Sequence, residues 1–366
     1  MTKKLFIAAT GQHKGKTTCT LGIAASIKSK GYNVGYCKPV GQNHILIDDA
    51  MVDKDVVLFE NILDFQTVPK IHSPVIISSG VTRAFIDDPS QFQFVEKIQR
   101  AKTHLEKNHD VLVYEGTGHA GVGSIVDLSN AQVAKMLDCE VIMVAEGGIG
   151  NTFDQLNMNL ALFRELDVPV KGVIINKIHP GKSEKVIRCV TEAMKKIDIP
   201  VLGALPYDKV LSYPLLATIK KSISGRVLLN PKQMYKQVED IIAGSLAAVD
   251  ELTHFHNLVL IATIDNLKTK IQNIKRKAEA EKLEGCPLSG VIITSYDKFK
   301  GSSSASDFDD DYLKAHKIPV LATDLDTYDT VVAISNIEVK INNKTPWKVK
   351  RAISLFENNV DLKSIY

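Results

Sequence analysis

Residues 5–18, LFIAATGQHKGKTT, join a short apolar run to Gly11, then to Gly15-Lys16-Thr17-Thr18, and then to an apolar helical pattern over residues 21–27. A glycine-rich turn between a strand and a helix lets backbone N–H groups converge on a polyphosphate, with the positive end of the helix dipole behind them. Lys16 is then placed to reach the β- and γ-phosphates, and the Thr17 hydroxyl to sit on Mg²⁺. Gly11, Gln12, His13, Lys14, Gly15 and Thr18 make up the rest of the cradle. The usual spelling asks for glycine five residues before Gly15, where this chain has Thr10; Gly11 comes one step late.

Other polar residues close apolar runs in the same way. VGYCKPVG, residues 34–41, ends its run in Lys38-Pro39, so Lys38 is either a second cation near the transferred phosphoryl group or a solvated lysine. DVLVYEGTG, residues 110–118, ends in Glu115 and glycines, and a phosphate-loop enzyme needs a carboxylate there to hold Mg²⁺ or its water shell. Asp110 starts that run, at the wrong end for chemistry, and reads as a cap. Asp48, Asp49, Asp53 and Asp55 form an acidic stretch in which one residue is a candidate second metal ligand and most are solvated. GVIINK, residues 172–177, closes with Asn176, whose amide suits an adenine edge and equally suits a turn.

The elements that must position these residues follow from periodicity. Apolar runs at 5–9, 34–37, 111–114, 141–144, 172–175 and 201–205 alternate with helix-like segments. That rhythm of near-continuous Val and Ile predicts a parallel sheet covered by helices on both faces, with ligands beyond the carboxyl ends of its strands. A break over residues 220–231 places a domain boundary near Ser224, giving domains at 1–223 and 224–366. The second is read as a smaller α/β set: a helix around 234–242, a strand at 258–263, a helix at 267–280, strands at 290–294, 319–323 and 330–333, and a last helix from Trp347. GSSSASDFDDD, residues 301–311, reads as a mobile surface loop.

At 366 residues with 45% hydrophobic and 24% charged, the composition is that of an ordinary globular chain of two domains, and a net charge of +3 gives no reason to invoke nucleic acid. Apolar runs of about 18 residues are missing, so no membrane partner is expected and the chain is expected to be cytoplasmic. Cys19, Cys37, Cys139, Cys189 and Cys286 are odd in number and widely spread, which supports neither a zinc site nor a disulfide framework.

Together, AATGQHKGKTT, CKPVGQ, YEGTGH, VIINK and IPVLGALPYD resemble the dethiobiotin synthetase and cobyrinic acid a,c-diamide synthase group of P-loop proteins over most of residues 1–215. IPVLATDLDTYDTVVAI, residues 318–334, resembles a DRTGG-type domain. The pairing is similar to the N-terminal, non-catalytic region of long bacterial phosphotransacetylases, whose acetyl-transferring domain is expected to be absent. The resemblance implies an α/β P-loop NTPase fold with a mostly parallel sheet, plus a second, smaller α/β domain. It implies ATP and Mg²⁺ as cofactors, with Lys16 and Thr17 on phosphate and metal, Glu115 and Asp55 on the metal, Asn176 on adenine and Lys38 on an anionic metabolite. Lys16 and Lys38 are then the catalytic pair, and a homo-oligomer, a dimer or larger, is expected.

Two activities follow from that likeness. One is a slow ATPase with a regulatory or sensing role. The other is an ATP-dependent ligase, in which a carbamate attacks the γ-phosphate and the mixed anhydride then closes a ring. Three departures stand out: the Gly11–Gly15 loop is shorter than in dethiobiotin synthetase, the lysine that marks dimer-forming partition ATPases falls at Gly11, and the DRTGG Gly-Asp-Arg reads Ile264-Asp265-Asn266.

Overall fold

The computed structural model describes residues 2–243, 255–299 and 310–366; residues 301–309 of the acidic, Ser-rich run therefore lie outside the described residues. Contacts divide the chain into two compact units, Met1–Leu211 with Ile341–Tyr366, and Ser212–Lys340.

The first unit is built on six parallel strands, β1 (Lys3–Ala9), β2 (Val34–Cys37), β3 (Val111–Glu115), β4 (Glu140–Glu146), β5 (Val170–Ile178) and β6 (Val201–Pro206). Their order is β6-β5-β4-β1-β3-β2, so the chain runs from β1 to one side and later returns to the other. That reversal beside β1 opens a crevice at the carboxyl ends of the strands. Successive side chains on one strand point to opposite faces. Phe6, Leu112, Tyr114, Val141 and Met143 accordingly join one core cluster, while Leu5, Ile7, Val111, Val113, Ile142 and Val144 join the other. With apolar cores on both faces, the strands must read as continuous hydrophobic runs, which is how the sequence reads.

Helix α1 (Lys16–Ser29) follows β1 and buries Cys19, Leu21, Ile23, Ala24 and Ile27. It is covered on its outer side by α2 (Pro346–Glu357), which comes from the far end of the chain. At Gly22 an added Cβ would lie 2.1 Å from Phe356 Cγ, so only glycine allows the two helices to approach this closely. Ile341, Ala352, Phe356, Val360 and Ile365 are buried in the same cluster. This is why the division differs from one at residues 223 and 224. The C-terminal apolar residues complete the first core, whereas Leu216, Ile219 and Ile223 are buried in a core of the second unit.

The second unit carries a five-stranded sheet in the order Arg226–Leu229, Val320–Ala322, Leu288–Ile293, Leu258–Ala262, Asp240–Ala243. The first pairing is antiparallel and the others are parallel. Two segments of this unit differ from the sequence expectation. Residues 234–242 do not form a helix: Asp240–Ala243 is a strand that pairs in parallel with Leu258–Ile261. Residues 330–333 are not a strand but lie within a helix, Thr327–Ser335, whose start is set by the Asp326 side chain accepting from the Asp329 N–H. An N-cap of this kind satisfies one of the four unpaired donors of a helix start.

Candidate functional site

Gly15 is the N-cap of α1 and sits at φ 94°, in the left-handed region that glycine adopts without strain. No side chain caps this helix, and its first turn holds no acidic residue. Its first-turn N–H groups and the positive helix end therefore face the loop, which is the arrangement that attracts an anion. Lys16 Nζ donates to the Gly118 carbonyl at 3.0 Å, just beyond the end of β3. The Thr17 hydroxyl donates to Glu115 Oε1 at 3.1 Å. Glu115 is the last residue of β3, and the pairing of Ile7 with Glu115 brings it beside the strand that launches the loop.

A buried charge cluster lies next to it. Lys38, one residue past β2, pairs with Asp55 Oδ2 and lies 3.4 Å from Glu115 Oε1 and 3.9 Å from Asp53 Oδ1. Lys38, Glu115 and Asp53 are 6%, 1% and 2% exposed, so these charges act with little screening by water. Burial opposes the Lys38 charge, but Asp55, Glu115 and Asp53 together outweigh it and hold its pKa above the ordinary lysine value. Burial pushes the Glu115 carboxyl up, against the pull of Lys38. Glu115 Oε2 is buried with no hydrogen-bond partner among the described residues, and an oxygen left so costs free energy unless a donor or cation meets it.

Asp53 has a different task. Its side chain accepts from the Asp55 N–H at 3.0 Å and from the Gln42 N–H at 3.1 Å, capping the helix Lys54–Leu63. This cap aims Asp55 at Lys38. Asp48 and Asp49 form the turn of a hairpin between His44–Ile47 and Ala50–Asp53, both with positive φ and both exposed. Asp110 sits at the opposite end of the sheet, where its side chain accepts from the Asn33 N–H. Among the described residues no three His, Cys, Asp or Glu side chains are set to hold a metal by themselves. One hydroxyl and two carboxylates beside a phosphate cradle is instead the partial, oxygen-only set that Mg²⁺ accepts, its other positions going to phosphate and water.

At the far side of the loop, Asn176 near the end of β5 donates from Nδ2 to the Lys14 carbonyl at 3.0 Å. Lys177 Nζ donates to the His13 carbonyl at 2.6 Å and lies 3.5 Å from Glu146 Oε1, while Lys14 pairs with Glu146 Oε2. Burial works against the Glu146 charge, yet Lys14 and Lys177 outweigh it and keep its carboxyl below the ordinary value. The loop is thus pinned from β4 and β5. Gln12 is exposed, Gly11 and His13 are half-buried, and the Thr18 side chain is buried in the first turn of α1.

Lys16, Thr17, Lys38, Asp55 and Glu115 therefore meet at one sheet edge, and Asn176 joins the loop from the other side. Sequence reasoning missed Glu146, although it closes an apolar strand as Glu115 does. It also missed Asn130, which accepts from the Thr117 N–H at 3.0 Å and donates to the Thr117 and His119 carbonyls at 2.7 and 2.6 Å, fixing the turn after Glu115. No sequence signal marked Asn130, because its role depends on a contact 13 residues away.

Among curated relatives, a phosphate acetyltransferase of Synechocystis sp. is 23% identical over 375 residues, covering 99% of this chain and 51% of that protein. An ATP-dependent dethiobiotin synthetase BioD of Thermodesulfovibrio yellowstonii is 28% identical over 222 residues, covering 55% of this chain and 88% of that one. A probable cobyric acid synthase of Methanococcus vannielii is 23% identical over 291 residues, covering 72% and 57%. The chain spans about half the length of the phosphate acetyltransferases it matches. No helix among the described residues is long and apolar enough to cross a membrane. The family model described as an AAA domain, AAA_26, matches residues 3–214, and with its parallel sheet, strand–loop–helix and GKTT turn the chain belongs to that P-loop NTPase family.

Proposed function

We propose that the first unit binds Mg-ATP and hydrolyses it slowly, and that the chain has a regulatory or sensing role resembling that of the N-terminal region of phosphotransacetylases, with a DRTGG-like second unit. The observation that carries this reading is the Thr17–Glu115–Lys38–Asp55 cluster beside an uncapped helix start, with Glu115 Oε2 buried and unpartnered. Thr17, Glu115 and Asp55 would hold Mg²⁺, which when bound supplies charge neutralisation for phosphoryl transfer. Lys16 would leave the Gly118 carbonyl for the β- and γ-phosphates, Gly11–Thr18 would wrap them, and Asn176 would meet the adenine. The alignment along 99% of the chain to a phosphate acetyltransferase favours the regulatory role.

A second reading, an ATP-dependent carboxylate or carbamate ligase acting on an anionic metabolite, draws support from Lys38 and from the likeness covering 88% of a dethiobiotin synthetase. ADP release measured with panels of small carboxylates, and of diamines with bicarbonate, separates the two. Basal turnover that no compound alters is expected for the regulator. Strong stimulation by one compound would overturn it in favour of the ligase. Light scattering with and without ATP tests the expected homo-oligomer.

A further inference from the structure

We propose that the Lys38 ammonium is a resident counter-ion that holds the divalent-cation position between Asp55 and Glu115 while the chain is metal-free, so that metal entry and release of Lys38 are a single exchange. This rests on the reading of Asp55 and Glu115 as metal ligands. It adds that the chain carries its own competitor for the metal.

Geometry and charge both support the exchange. Lys38 Nζ touches both proposed ligands, pairing with Asp55 and lying 3.4 Å from Glu115. Asp53, at 3.9 Å, is committed by both oxygens to backbone N–H groups and stays where it is. With Asp53 so committed, Asp55 and Glu115, the two proposed ligands that Lys38 bridges, together carry the two negative charges that a divalent ion neutralises. The ammonium also leaves the coordination incomplete, because Glu115 Oε2 is buried and unpartnered.

The lysine is built to move. Its backbone N–H is tied to the His72 carbonyl at 2.9 Å, so its main chain is held. The flexible four-carbon stem can swing its compact charge without moving the strand. β2 pairs with β3, and Lys16 already reaches the Gly118 carbonyl just past β3, so a released Lys38 lies at the same edge as the phosphate loop. A bare metal ion must displace this cation into water. A metal ion arriving on a polyphosphate brings anionic oxygens that receive it. The exchange therefore makes the site selective for the metal–nucleotide pair over free metal.

The test uses Mn²⁺ alone, with the full chain and no nucleotide, following the free-ion signal by electron paramagnetic resonance. Lys38→Met and Lys38→Gln are expected to bind Mn²⁺ at least about tenfold more tightly than the parent, since one buried positive charge beside the ligands is gone. Lys38→Arg is expected to bind as weakly as the parent. Equal or weaker Mn²⁺ binding by both neutral variants overturns the proposal. If those variants unfold without metal, refolding on addition of Mn²⁺ supports the exchange, and failure to refold contradicts it, because the ion should replace the missing charge. A parent that does not bind Mg-ATP defeats the functional reading instead, whatever the Mn²⁺ series shows.

Discussion

Glu115→Gln is expected to lower ATP turnover on the order of 100-fold while the folded chain loses no stability at neutral pH. On the proposed reading the loss arises because the amide keeps the shape of the side chain but removes one of the two charges proposed to hold Mg²⁺ with Thr17. Stability behaves otherwise. Burial raises the Glu115 carboxyl above its ordinary value of 4.5. Its folded form therefore binds a proton more readily than its unfolded form. Whatever this group contributes to stability is present at low pH and is lost as the pH rises through the raised folded value. At neutral pH the buried carboxylate is a cost carried for function, a recurrent trade between stability and activity. Urea unfolding at a series of pH values checks the sign: the stability of the variant relative to the parent should climb as the pH rises from about 4.5. A variant that turns over normally would remove Glu115 from the metal site.

Gly15→Ala is expected to damage both the fold and the site. The residue sits at φ 94°, and an added Cβ would fall 1.8 Å from Asn176 Nδ2. The left-handed backbone, the overpacking and the lost Asn176 bond to the Lys14 carbonyl together cost about 3 kcal/mol. Asn176 must move to relieve the overlap, which displaces the residue proposed to meet the base. A thermal melt and a nucleotide titration on one preparation read the two effects, and an unchanged melting temperature would contradict the tight Gly15–Asn176 approach.

The strands of the first unit were legible because a parallel sheet buried on both faces has to be written in uninterrupted Val, Ile and Leu, and its site residues sit where those runs stop. Lys38 was legible as a cation at a strand end, but its three counter-charges were not. Asp53 caps a helix and Asp55 pairs with Lys38, a division of roles that a list of acidic residues does not reveal. The return of residues 341–366 to the first core was hidden for a similar reason: an amphipathic helix advertises an apolar face without naming the surface it covers. In the second unit, the helix at residues 234–242 failed because Ile241, Ile242 and Ala243 fit helix and strand periodicities equally over so short a run. At residues 330–333 the β-branched pair Val331-Val332 suggested a strand, and the Asp326 cap upstream decided for the helix.

A phosphate cradle at the Gly11–Thr18 turn makes nucleotide binding depend on Lys16, which titration calorimetry of Mg-ATP into the parent and into Lys16→Ala measures. The parent should bind, and the variant should lose about 100-fold in affinity with an unchanged melting temperature, since the lost contacts are charge-assisted hydrogen bonds made to the ligand. Equal binding by the two proteins would contradict the assignment of the cradle.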